Sequence, residues 1–180
     1  MRRLRSGSHD GDLFASVAGG FVGGLAACFA MERFQRALGR VSPEIGGVPG
    51  AGGQQYRRPQ SEPATFAAAD RASEAIAGRP VSPANRPLAG SAIHYAFGGA
   101  VGAIYGAAAA RTPDVAAWGG LPFGASVWMA ADEIGMPLVG LARVPTEYPV
   151  VDHATTLASH LIFGLITESV RRMTVTALRR

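Results

Sequence analysis

The sequence predicts an all-α fold, an integral membrane helical bundle of about four transmembrane helices with glycine-rich packing faces. Three observations favour this class. Of the 180 residues, 48% are hydrophobic and only 17% are charged. The apolar residues are gathered into long runs with little charge, each near the roughly 20 residues that cross a hydrocarbon core. Glycines recur every four residues within these runs. This segregation excludes a disordered chain and makes a soluble globular domain a poor interpretation.

The elements follow from these runs and from the polar stretches between them. In chain order they are a basic amino-terminal tail (1–12), transmembrane helix 1 (13–38), a polar Gly- and Pro-rich loop (39–87) with a short surface helix (63–77), transmembrane helices 2 (88–110), 3 (115–141) and 4 (152–170), and a basic carboxyl-terminal tail (171–180). Pro122 and Pro137 are expected to kink or break helix 3. Trp118 and Tyr148 lie near predicted segment ends and are expected to mark membrane interfaces.

The short helix in the long loop has its own start and stop signals. Ser61 is placed to cap it and Gly78 to end it, while Phe66, Ala69 and Ile76 fall on one face. We expect this helix to lie on the membrane surface, and a solvated loop helix is the alternative.

Glycine spacing predicts where the transmembrane helices pack. Small residues let helix backbones approach closely in lipid, where packing drives association. The predicted packing residues are Gly19, Gly20, Gly23 and Gly24 in helix 1, Gly98, Gly102 and Gly106 in helix 2, and Gly120 and Gly124 in helix 3. The same faces would serve a homo-oligomer or a partner membrane subunit.

The charges predict a lipid bilayer, and not nucleic acid, as the partner. All 17 basic residues are arginines, and they do not cluster with aromatic residues. The arginine count hardly selects an orientation. The tails and the short second loop hold eight, and the other nine lie in the first and third loops or, as Arg33 and Arg36, at the loop end of helix 1. The compact clusters in both tails favour cytoplasmic termini.

A competing interpretation concerns the amino terminus. Arg2, Arg3 and Arg5 before an apolar run resemble an export signal, and residues 25–28 match a lipobox. An exported lipoprotein cleaved before Cys28 is therefore an alternative. The apolar run continues beyond Cys28, and its glycines suit helix packing, so we expect the first helix to be retained.

Ionisable residues inside membrane segments predict the functional layer. The five candidates are Glu32, His94, Asp132, Glu133 and His160. A helix rise of about 1.5 Å per residue places Glu32 and His94 about 9 Å, and Glu133 and His160 about 12 Å, below one membrane face. Arg171 and Arg172 are expected to pair with Glu168.

Such a layer suits a proton relay or a metal site. The alternative is a structural role, in which the carboxylates lie near helix ends in the headgroup region and each histidine makes a hydrogen bond between helices. If a metal binds, His94, Glu133 and His160 are the predicted ligands; no cofactor is predicted. No hydrolase, nucleotide-binding or zinc-protease motif occurs. We expect a non-enzymatic protein that handles protons or ions or supports envelope homeostasis, with a membrane-embedded metal-dependent enzyme as the alternative.

Several short patterns together resemble the YagU family of bacterial inner-membrane proteins, which carry a domain of unknown function. They are the first-helix glycines, His94-Tyr95 with Gly98, Gly102, Tyr105 and Gly106, Trp128 with Asp132-Glu133, Pro137 and Gly140-Leu141, and Ser159-His160 with Gly164, Glu168, Arg171 and Arg172. The resemblance implies a multi-pass inner-membrane location with the first helix retained, and it implies no reaction. The chain departs from it at Asp132, where the resemblance leads us to expect a histidine, and this weakens a metal site.

Overall fold

The computed structural model describes residues 6–41 and 63–180, with side chains from residues 11–40 and 63–180. Regular structure in these residues is entirely helical, which confirms the all-α class. The α-helices are α1 (Ser6–Val41), α2 (Ala64–Ala77), α3 (Arg86–Arg111), α4 (Leu121–Val127), α5 (Met136–Leu138) and α6 (Val150–Leu178). A π-helix, Trp128–Gly135, joins α4 to α5, and 3₁₀ segments lie at Pro83–Asn85, Pro113–Gly120 and Pro145–Glu147.

The chain divides into two compact units. The first unit comprises Met1–Ala30, Ala96–Ala125 and Leu161–Arg180, and the second comprises Met31–Tyr95 and Ser126–His160. The long helices α1, α3 and α6 each contribute residues to both units.

Two helices among the described residues are long and apolar enough to cross a membrane. These candidate spans are Gly11–Arg40 and Val150–Leu178. The predicted spans at 88–110 and 115–141 do not meet the same test, so four spans are not confirmed. α3 contains five glycines, His94, Tyr95 and Tyr105, which lower its mean hydropathy, and the 115–141 segment is divided into shorter elements.

The ends of the long helices differ from the predicted boundaries. α1 runs from Ser6 to Val41, where the sequence predicts 13–38. α6 continues to Leu178, so most of the predicted tail at 171–180 is helical. Apolar runs mark only the uncharged part of a helix, whereas intrahelical hydrogen bonds continue through its charged turns.

The predicted third transmembrane helix is broken before Pro122. Trp118, Gly119 and Gly120 have positive φ angles of 55°, 67° and 86°, so α4 begins only at Leu121. Pro122 then occupies the first turn of α4, where its missing N–H costs no hydrogen bond. Pro137 cannot donate to the carbonyl of Glu133, and the π-helical turn precedes it.

α2 is docked onto the rest of the second unit. Arg71 donates to the carbonyl oxygens of Val139 (2.6 Å) and Gly140 (3.3 Å) at the end of α5. Asp70 accepts from the Val81 N–H at 2.9 Å and pairs with Arg86 at 2.7 Å.

The predicted apolar face of α2 is only partly correct. Ala69 is buried, but Ile76 is 88% exposed. The contacts that hold α2 are those of Arg71 and Asp70. Gly78 ends the helix in a left-handed conformation (φ 68°), as expected. The predicted cap, Ser61, lies outside the described residues.

Glycines bring the helices of the first unit into backbone contact. A Cβ atom at Gly20 would overlap the Gly102 carbonyl oxygen, and one at Gly24 would overlap that of Gly98. Gly19, Gly23, Gly106 and Gly120 are similarly enclosed, by Thr174, Thr167, Ser16 and Gly164 respectively, and the Gly124 nitrogen lies against Gly164. This close packing positions the polar side chains of the first unit.

Candidate functional site

All five ionisable residues of the predicted layer belong to the second unit. They do not form one cluster there. Glu32 pairs with Arg36 on its own helix at 3.0 Å. His94 packs edge-on against Tyr95, with ring centroids 5.8 Å apart. The other three lie on or beside the π-helical turn and α6, and their contacts define the candidate site.

Glu133 pairs with His153 rather than with His160. Glu133 Oε1 lies 2.6 Å from His153 Nδ1, and His153 Nε2 lies 3.0 Å from the carbonyl oxygen of Pro145. The tyrosine ring of Tyr148 packs edge-on against the imidazole, with centroids 6.3 Å apart. Both side chains of the pair are largely buried.

The contacts of His153 fix a proton in this pair. A carbonyl oxygen can only accept, so Nε2 carries a hydrogen and donates to Pro145. Nδ1 then either donates to a Glu133 carboxylate or accepts from a protonated Glu133. In both states one proton lies between Glu133 Oε1 and His153 Nδ1.

The second pair is His160 and Asp132. Their nearest atoms, Nδ1 and Oδ2, are 3.6 Å apart, which is beyond a direct hydrogen bond. His160 Nδ1 donates instead to the Thr156 carbonyl oxygen at 2.9 Å. The Thr156 hydroxyl accepts from Trp128 Nε1 at 3.0 Å.

Helix geometry explains why the pairing differs from the expectation. His153, Thr156 and His160 recur at three- and four-residue intervals on one face of α6. Asp132 and Glu133 are consecutive and so project in different directions, and each contacts a different histidine. Equal depth alone could not distinguish these directions.

The predicted metal ligands are not gathered. Among the side chains described, those of residues 11–40 and 63–180, no group of three or more His, Cys, Asp or Glu is placed to hold a metal ion. His94, Glu133 and His160 therefore do not form a joint ligand set in this part of the chain.

A second polar cluster occupies the first unit, centred on Glu168, which is 1% exposed. Arg171 donates to this carboxylate through Nε (2.6 Å) and Nη2 (2.8 Å), and Arg172 donates through Nε. The Tyr105 hydroxyl donates to Oε2 at 2.9 Å. The expected pairing of Glu168 with both arginines is confirmed. We call these four residues, with Ser16, the Glu168 cluster.

The Glu168 cluster connects the segments of the first unit. Arg171 Nη1 donates to the Ser16 hydroxyl on α1 at 3.0 Å, and this hydroxyl donates to the Gly106 carbonyl on α3 at 2.7 Å. Arg172 Nη2 donates to the Ala116 carbonyl oxygen at 3.1 Å. Two guanidinium groups thus face one carboxylate, leaving one net positive charge.

Sequence reasoning missed His153, Ser16 and the role of Tyr105. His153 could have been found from its seven-residue separation from His160, which puts both on one helix face. Tyr105 stacks on Phe123 with centroids 4.1 Å apart, and this tertiary contact leaves no local signal in the sequence.

One comparison with known proteins gives a match. The family model described as Protein of unknown function (DUF1440) matches residues 73–169, more than half of the chain. This range includes both His–carboxylate pairs, Tyr105 and Glu168. No curated protein and no solved structure matches the chain significantly. The chain therefore belongs to the DUF1440 family, whose function is not known.

Proposed function

We propose that this chain is a non-enzymatic, multi-pass protein of the bacterial inner membrane that exchanges protons through its two His–carboxylate pairs. The observation that carries the membrane location is the reversed distribution of side chains: most of the buried side chains are small or polar, and many large apolar side chains are exposed.

The first unit illustrates this reversal. Glu168, Thr167 and Ser16 are almost completely buried. Phe14 and Ile104 are 72% and 70% exposed. Six further large apolar side chains are between 40% and 63% exposed: Phe21, Val22, Phe29, Phe97, Leu165 and Met173. In water this surface would be costly, because apolar area is driven from solvent. In lipid it matches the surroundings, and small residues and polar contacts hold the helices together.

Lengths support four crossings by α1, α3, residues 121–138 and α6. The shortest, 121–138, extends about 27 Å at about 1.5 Å per residue, close to the hydrocarbon thickness of about 30 Å. Retention of α1 is part of the proposal, because Gly20 and Gly24 allow the α1 backbone to pack directly against the α3 backbone. Cytoplasmic termini and YagU-like identity belong to the same proposal. Mass spectrometry of the mature protein tests retention: an intact amino terminus with unmodified Cys28 supports it, and a lipid-modified Cys28 contradicts it.

Proton exchange is supported by the chemistry of the two pairs. Glu133 and His153 share one proton over 2.6 Å. Asp132, the residue before Glu133, provides a second carboxylate, and His160 provides a second imidazole on the same face of α6. Both carboxylates lie on a π-helical turn, an irregularity that occurs frequently at functional sites.

Proton flux into liposomes tests this function. We expect Glu133→Gln to abolish flux, because an amide cannot take up the shared proton, while Glu147→Gln leaves it unchanged. Glu147 is the matched control: its side chain is 53% exposed, and its carboxylate lies 3.9 Å from Arg143 Nε, outside both pairs. Equal flux in empty and protein-containing liposomes, or equal loss in both variants, would contradict proton exchange.

A further inference from the structure

One arginine of the Glu168 cluster, Arg172, is exposed and has a guanidinium nitrogen that makes no hydrogen bond within the cluster. The side chain of Arg172 is 60% exposed, although its Nε bonds to Glu168 and its Nη2 to Ala116. Its Nη1 donates no hydrogen bond to the described residues. Arg171, in contrast, is 12% exposed and uses Nε, Nη1 and Nη2 on Glu168 and Ser16.

This guanidinium is held in place before any ligand arrives. Two contacts on different segments fix its orientation, so binding through Nη1 costs less side-chain entropy than binding by a freely rotating arginine. The cluster also carries one net positive charge, because Glu168 neutralises only one of its two arginines. An anionic oxygen acceptor complements both features.

An exposed tryptophan stands two residues from the carbonyl that Arg172 holds. Trp118 is 82% exposed and has a left-handed backbone (φ 55°), which a tryptophan rarely adopts. Indole rings favour the boundary between lipid headgroups and hydrocarbon. The other charges of this segment offset each other: Arg111 precedes it, and Asp114 lies in its first turn.

We propose that Arg172 and Trp118 form a headgroup site for an anionic phospholipid, in which Arg172 Nη1 binds the phosphate and the indole lies at the headgroup boundary. This site rests on the proposed membrane location and is independent of proton exchange. An anionic phospholipid uses both parts of the site, because its phosphate binds the fixed guanidinium of Arg172 and its headgroup boundary suits the indole of Trp118. Free phosphate would use only Arg172. A zwitterionic lipid carries no net negative charge to offset the positive charge of the cluster.

Lipid quenching of Trp118 fluorescence tests the site. Trp118 and Trp128 are the only tryptophans, so Trp128→Phe leaves Trp118 as the sole reporter. This protein is placed in phosphatidylcholine vesicles containing the same small fraction of brominated phosphatidylglycerol or brominated phosphatidylcholine. We expect the anionic lipid to be enriched about fivefold beside Trp118, which is the enrichment that the attraction of a single arginine to an anionic membrane surface produces.

Two arginine variants separate a fixed site from general surface charge. Arg172→Gln should remove the enrichment, whereas Arg179→Gln should retain it. Arg179 is the matched control, since it directly follows the same helix, is also 60% exposed and is neutralised by Asp12 at 2.9 Å. Equal loss in both variants would overturn the site. The comparison of the two lipids uses the intact cluster, so it decides the proposal even if Arg172→Gln does not fold.

The remaining outcomes are also decisive. Equal quenching by both brominated lipids contradicts the headgroup site but leaves the membrane location supported. No quenching by either lipid contradicts the membrane location itself. In detergent, phosphatidylglycerol should raise the thermal midpoint of unfolding; if inorganic phosphate raises it equally, the site binds free phosphate and the lipid assignment is wrong.

Discussion

Replacing Gly20 by alanine should destabilise the protein, and the structure indicates by how much. The new Cβ would overlap the Gly102 carbonyl oxygen and lie 3.0 Å from both the Gly102 carbonyl carbon and the Gly106 Cα. Carbon atoms pack best at about 3.5–4.0 Å, so α1 and α3 would have to separate by about 0.5–1 Å. All three atoms belong to backbone, and no flexible side chain is available to move aside.

Two opposing effects set the magnitude. Overpacking costs about 1–3 kcal/mol, and alanine favours a helix over glycine by about 1 kcal/mol. Because the obstruction is rigid, the upper range applies, and we expect a net loss of about 1–2 kcal/mol. Gly11→Ala on the same helix is the matched control, since nothing lies within 4 Å of its Cβ. That variant should be neutral or more stable by up to about 1 kcal/mol.

Denaturation of both variants in the same detergent provides the assay, with helical circular dichroism as the readout. Lower stability of Gly20→Ala beside unchanged or higher stability of Gly11→Ala supports the glycine seam. Equal stability of the two variants would refute the reasoning, because only the α3 contact distinguishes them.

Three further variants test the polar contacts. Glu168→Gln should cost about 3 kcal/mol, since it leaves Arg171 without its carboxylate, and exposure of Arg172 keeps the loss at the lower end for a broken buried pair. Tyr105→Phe removes one hydrogen bond to a charged group and should cost about 1.5–2 kcal/mol. Both losses are measured by thermal unfolding. Arg71→Gln should release α2 from the carbonyl groups at the end of α5 and speed hydrogen exchange in α2.

A matched substitution serves as the control for Arg71→Gln, and the other two variants are compared with the wild type and with each other. Glu74→Gln also removes an exposed charge from α2, and it should leave hydrogen exchange there unchanged. A Glu168→Gln protein as stable as the wild type would mean that the guanidinium groups find other partners. Equal losses for Tyr105→Phe and Glu168→Gln would contradict the larger role of the ion pairs.

Local features of the fold, such as the positions of the long helices, could be predicted from the sequence. The direction of the chain at the helix break and the directions of the side chains could not. Apolar runs located the long helices, because helix formation depends on nearby residues, and Gly78 ended α2 as its left-handed geometry requires. The break at Trp118–Gly120 was missed, since apolar content alone does not reveal a change of φ. Depth estimates could not assign Glu133 to His153, because side-chain direction depends on helix rotation. The i to i+3 and i to i+4 spacing from Glu168 to the two arginines was sufficient to predict their pairing.

Cysteine labelling at Ile104 tests the central claim that the exposed apolar surface faces lipid. In a Cys28→Ala background, Ile104→Cys places one thiol on the exposed face of α3, and Ala84→Cys places one in the polar connection before it. A membrane-impermeant maleimide reacts with the thiolate, which forms only in contact with water. The account predicts that Cys at position 84 reacts after the membrane is permeabilised, while Cys at position 104 reacts only after denaturation. Equal reaction at both positions in the native, membrane-associated protein would contradict it.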